Sequence, residues 1–181
     1  MAQQREQAAD DAMMTRIGQV VMLAHAGDRE EARDRFLGLW AEIGEYGDPL
    51  HRCTLAHYMA DTQDDPDDEL AWDLRALSAA DSRTRGGAAA HEGSLALRSL
   101  YPKLHLSLAA DYVKLGRPGA ARSHLARARA GLGALGDDGH GQGVRAELAR
   151  LEQRVAALPE DGDEGGGRPG GEPLGPPRRG F

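Results

Sequence analysis

Cys53, His57 and Asp61 follow one another at four-residue steps, so a helix over this stretch carries a thiol, an imidazole and a carboxylate on one face. All three are metal-ligand types, and Cys with His is also the pairing of a thiol nucleophile with its base. On a straight helix the outer two stand about 12 Å apart at 1.5 Å per residue, too far to share one ion. Only adjacent ones could, with a ligand from another element. The competing reading is a buried Cys, a hydrogen-bonded His and a solvated Asp. A second candidate, GLGALG at 131–136, matches GxGxxG letter for letter. A dinucleotide fingerprint needs a strand before it and a helix after it, so that phosphate meets a helix N-terminus. Here a helical pattern precedes it and more glycine follows, which makes it a helix end and loop. His91-Glu92 lacks the second histidine of HExxH, and no GxSxG occurs. No catalytic residue, cofactor or metal is therefore assigned, and a non-enzyme is expected.

Composition narrows the setting. Of 181 residues, 40% are hydrophobic but only 4% aromatic, so Ala, Leu, Val and Met must fill the core, which favours closely packed helices over a β-sandwich. A net charge of −7 disfavours nucleic acid as a partner, because that affinity rests on neutralising phosphates. Lys103 and Lys114 are the only lysines and asparagine is absent, a bias typical of a GC-rich bacterial genome. Cys53 is the single cysteine, so no disulfide can form within the chain. MAQQREQAADD lacks the basic start and apolar run of a signal peptide, and no stretch reaches membrane-spanning length. The expectation is a soluble cytoplasmic protein with no membrane role.

The elements that must position these residues read as helices. Ile17, Val20, Val21 and Ala24, then Ala32, Phe36, Leu39, Trp40 and Ile43, recur at helical spacing from Ala12 to Gly44, broken at Gly27-Asp28. Asp48-Pro49 and Asp65-Pro66 each pair a cap with a proline at the first helical position, opening helices to about Asp61 and about Ala80. The acids from Asp61 to Glu69 read as a solvated turn with caps, or as a lure for a basic partner or cation. Residues 81–90 read as a connection. Pattern resumes near His91, and Pro102 is expected to start a new helix. Two helices flank Gly116-Arg117-Pro118-Gly119, and a last one spans about Val144 to Leu158. Trp40 and Trp72 read as packing anchors, or one of them as an exposed hot spot.

The helix pairs repeat. Ala109 and Tyr112, Gly116 four residues on, then Ala121, Leu125 and Ala128 match Val20, Leu23, Gly27, Ala32, Phe36 and Leu39 step for step. A degraded third copy reads as Ala56 and Met59, then Ala71 and Arg75. Small residues at facing positions let two antiparallel helices approach closely. This pattern resembles the tetratricopeptide repeat family, although Val20 stands where a small residue is usual, the spacing is uneven and no copy carries the full consensus.

The resemblance implies an all-α, right-handed superhelix of antiparallel helix pairs, placed over residues 10–158; the remaining segments read as a flexible N-terminus over 1–9 and, from composition, a disordered tail over 159–181. Eight glycines and five prolines fall in those last 23 residues. It implies a scaffold that binds a protein or peptide segment in the concave groove formed by the first helix of each pair. Carried over by position, that groove takes Ile17, Val21 and Ala24 from the first pair. Leu50, Cys53, His57 and Asp61 come from the second, and Lys103, Leu106, Ala110 and Val113 from the third. Without asparagine, and with Lys103 the only lysine suitably placed, the carboxylate clamp of chaperone-binding members is excluded. The last helix is expected to cap the array; an uncovered end would leave a homodimer open. Two other readings stay open: a small-molecule or peptide-signal sensor on the same fold, and an enzyme or metal protein centred on Cys53 and His57.

Overall fold

A computed structural model describes residues 1–84 and 91–159, and among these every regular element is helical. The helices are α1 (Ala2–His25), α2 (Arg29–Ile43), α3 (Pro49–Ala60), α4 (Pro66–Thr84), α5 (His91–Lys114), α6 (Pro118–Gly131) and α7 (Gly139–Ala156), with one 3₁₀ turn at Leu132–Ala134. None of them is long and apolar enough to cross a membrane.

The punctuation read from sequence does its work locally. Asp48 accepts from the N–H groups of Leu50 at 2.8 Å and His51 at 3.2 Å, and Asp65 accepts from Asp67 at 2.8 Å. Both satisfy orphan donors of a first helical turn. Asp28 occupies the equivalent position before α2, yet its side chain makes no capping bond. Gly27 (φ 104°) and Gly116 (φ 68°), which close α1 and α5, both adopt the left-handed conformation that a Cβ disfavours.

Three cores lie along the chain. α1 and α2 close on Ile17, Val20, Ala32, Phe36 and Leu39, joined by Leu55 and Met59 of α3. The other side of α3, with Cys53 and Ala56, packs on Ala76, Ala79 and Ala80 of α4 and on Leu97 and Leu104 of α5. Further along α5, Leu106 and Ala109 meet Ala121, Leu125 and Ala128 of α6 and Val144, Leu148, Leu151 and Val155 of α7. Helices α3 and α5 thus each serve two cores, and α1, α3, α5 and α7 contact one another in series.

Four expectations need correction. α1 begins at Ala2 and not at Ala12: the Gln-, Glu- and Ala-rich lead-in favours helix, so residues 2–9 join it. α5 runs unbroken through Pro102. The buried proline ring lies against α6, where a Cβ added at Gly131 would come within 3.0 Å of its Cγ, and this packing offsets the lost hydrogen bond. In α4 the buried residues are Leu70, Asp73, Ala76, Ala79 and Ala80, whereas Arg75 is exposed and Ala71 only half-buried. The longer turn before α4 shifts its phase, and one residue is 100° of helix rotation. α7 starts at Gly139, ahead of Val144, because Asp138 accepts from the Gly141 N–H at 2.8 Å and caps a glycine-rich first turn. The connection expected over 81–90 begins within α4, and residues 85–90 lie outside the described residues, as does the expected tail from residue 160 on.

α7 covers the apolar end of the third core through four buried side chains. Truncation after Gly136 should expose that face and drive self-association, read by size-exclusion chromatography with light scattering. A truncated chain that stays monomeric with an unchanged unfolding midpoint argues against the capping role. Within the full chain, Leu148→Ala should cost about 2–5 kcal/mol of stability in urea unfolding, the range for a buried Leu reduced to Ala.

Candidate groove

A hollow of about 350 Å³ opens along α3 and α5. Cys53, His57 and Asp61 line it from α3, with Thr54 and Tyr58 between them. Lys103 faces them from α5, beside Leu100 and Leu104, and His25 of α1 and His140 of α7 stand at its edges. A second hollow of about 260 Å³, lined in part by Val21, Ala24 and Phe36, shares His25, Tyr58 and Asp61 with the first. The two form one groove across α1, α3 and α5, ending at the first turn of α7.

Of the residues placed on the groove by sequence, Val21, Ala24, Cys53, His57, Asp61 and Lys103 line it. Ile17 and Leu106 do not: they are 1% and 0% exposed and sit inside the first and third cores. Leu50 is half-buried against the second core, and Ala110 and Val113 against the third. A helix face that bears both a groove and a core cannot be split by periodicity alone. Sequence reading missed Tyr58, Thr54, Leu100, Leu104, His25 and His140. His140 was hidden because the glycine-rich start of α7 reads as loop.

Burial, with the negative charges of Asp73 and Asp81 nearby, pushes the Cys53 thiol up to about 12, far from a thiolate at neutral pH. Among the described residues no three His, Cys, Asp or Glu side chains converge on a point where a metal could sit. Lys103 Nζ donates to Glu147 Oε2 at 2.8 Å and ties α5 to α7. The acidic turn after α3 is engaged by arginines of α2: Arg33 pairs with Asp64 at 2.8 Å, and Arg29 donates to the carbonyls of Asp61 and Gln63. The basic partner that this turn attracts is the chain's own.

Behind His57 lies a polar interior that the sequence did not signal. His57 Nδ1 and Asp73 Oδ1 are 3.2 Å apart, and Asp73 in turn meets Asp111 of α5. Two carboxyl groups in contact hold only if they share a proton. Burial, then the charges of Asp73 and Glu69, raise Asp111 to about 8, so Asp111 is the member of the pair that holds the proton. Burial raises Asp73 as well, with the His57 contact opposing it. Asp111 Oδ2 is buried with no hydrogen-bond partner among the described residues, and Lys114, 3.8 Å from Oδ1, is held by Glu69 at 2.6 Å. A second buried pair joins α5 to α6: His105 Nδ1 and His124 Nδ1 are 3.0 Å apart, with Tyr112 stacked on His124. One ring nitrogen must donate and the other accept, so at least one ring is neutral. Burial lowers both histidines, His105 to about 4.

Comparisons with models of protein families, with curated proteins and with solved structures find no match to this chain.

The two buried pairs bias stability in opposite directions. Asp111 binds its proton more tightly folded than unfolded, so its contribution is complete below about pH 4 and lost as pH rises toward about 8. Asp111→Asn removes that penalty, and its unfolding midpoint relative to the parent should climb from about pH 4 to about pH 8 and level off above it. His105 binds its proton more weakly folded than unfolded, so stability is lost as pH falls from about 6.5 toward about 4. His105→Gln should therefore gain on the parent over that interval. Urea midpoints measured across pH check both; parallel curves for parent and variant would remove the assignment.

Proposed function

We propose that the chain is a divergent tetratricopeptide-like repeat domain, a non-enzymatic module that binds a peptide or protein segment in its concave groove. One observation carries this reading. The polar residues picked out along the first helices of successive pairs, Cys53, His57, Asp61 and Lys103, line a single hollow that continues past Val21 into α1. Series contact of α1, α3, α5 and α7 is the arrangement a stacked repeat needs, with α2, α4 and α6 outside it.

The wall suits a segment of mixed character. Leu100, Leu104 and Tyr58 offer apolar surface, while Lys103, Asp61 and the histidines supply orientation. The raised Cys53 thiol favours binding over thiol catalysis at this wall. A sensor for a small ligand is the second reading, favoured by the hollow's size, which reaches the roughly 300 Å³ at which small-molecule sites begin.

Selection from a displayed random-peptide library tests the module, with the intact chain and a Lys103→Ala/His140→Ala variant as baits. His57 is left in place because its ring is bonded to buried Asp73. A consensus enriched on the parent, and bound about tenfold or more weakly by the variant at unchanged helicity, is the expected result. Absence of a consensus, or equal affinity for both baits, refutes peptide binding here. A ligand-dependent rise in melting temperature in a metabolite screen would then favour the sensor.

A further inference from the structure

On another face, α2, α3 and α4 enclose a hollow of about 220 Å³ that shares no residue with the groove. Trp40, Arg52, Arg75 and the two hydroxyl residues Ser78 and Ser82 line it, with Ala79. Among the described residues no acidic side chain does. In a chain of net charge −7, two guanidinium groups brought to one hollow without a carboxylate between them stand out.

Their surroundings hold them there. Trp40 and Trp72 pack edge to face with centroids 5.2 Å apart. Arg52 lies over the Trp40 ring at 5.1 Å and Arg75 over the Trp72 ring at 4.6 Å, both inside the roughly 6 Å reach of a cation on an aromatic face. Arg52 Nη1 donates to the Glu45 carbonyl oxygen, yet its Nε is buried with no acceptor among the described residues. Arg75 forms no ion pair within the described residues. Two like charges on the wall of one hollow repel, and a buried donor without an acceptor is costly. A single ligand relieves both: a compact anion with several acceptor oxygens.

We infer that this hollow between α2, α3 and α4 is a binding site for a tetrahedral oxyanion, a phosphate group held by the Arg52 and Arg75 guanidinium forks with Ser78 and Ser82 at its rim. Arginine forks match phosphate oxygens two at a time, and serine hydroxyls add donors. The volume takes a phosphate group with its nearest waters and falls short of the roughly 300 Å³ at which sites for larger molecules begin. The phosphate comes either as the free ion or on a phosphorylated side chain.

Trp40 and Trp72 are the chain's only tryptophans, so indole fluorescence reports the ring pair on which the two arginines stack. The full chain is titrated at low ionic strength with inorganic phosphate, with chloride at matched ionic strength, and with a short phosphoserine peptide and its unphosphorylated counterpart. A saturable change with phosphate or phosphopeptide, absent with chloride and the plain peptide, is expected. Arg75→Gln, a change at an exposed position, should weaken it about tenfold or more, and Arg75→Lys should weaken it less. Phosphopeptide binding at least tenfold tighter than the free ion identifies a phosphoprotein as the source; comparable binding identifies the free ion. If neither probe gives a saturable change, or if Arg75→Gln binds as the parent does, the arginines serve only to stack on the indoles and the inference falls.

Discussion

The close approach of paired helices at alanine is the constraint from which the rest follows. Ala109 of α5 and Ala121 of α6 are both fully buried in one core, and so are Ala56 of α3 and Ala76 of α4. Where both facing side chains stop at Cβ, the helices sit near the short end of the packing range, and larger neighbours such as Leu125 and Met59 fill the flanks. In the first pair Phe36 packs beside Ala32 and Val20, and α1 and α2 meet on a bulkier seam. With few aromatics, the chain uses small residues for proximity, and the groove is what remains between successive pairs.

How much of this was legible follows from which signals are local. The caps at Asp48 and Asp65 and the breaks at Gly27 and Gly116 are each written within a few residues, and the structure carries them where they were read. Where the outcome depends on packing, local signals mislead. Pro102 ought to interrupt a helix, and only its burial against Gly131 keeps α5 whole. Arg75 reads as the repeat of a core position because the register of α4 cannot be counted across a longer turn. Ile17 and Leu106 share helices with groove residues but point into cores.

Least legible were the buried titratable pairs. Asp73 and Asp111 stand 38 positions apart in sequence, and nothing around either one marks it as interior. Both pairs sit on α5, the helix that also anchors two of the three cores. A buried polar network of this kind adds little net stability against an apolar replacement, because the cost of desolvating the groups offsets their mutual attraction. What it imposes is registry: Asp111 must face Asp73, and His105 must face His124, or each is left uncompensated.

Cys53 gives the molecule an internal clock. Its side chain is fully buried on the wall of the groove, and its thiol is held in the unreactive protonated form. An alkylating reagent can reach it only when α3 and α5 part, and no other cysteine competes for the label. The rate of modification therefore counts local openings of this seam in the native ensemble, separating motion at the groove from global unfolding. An occupant of the groove that braces α3 against α5 would slow that clock without ever touching the sulfur.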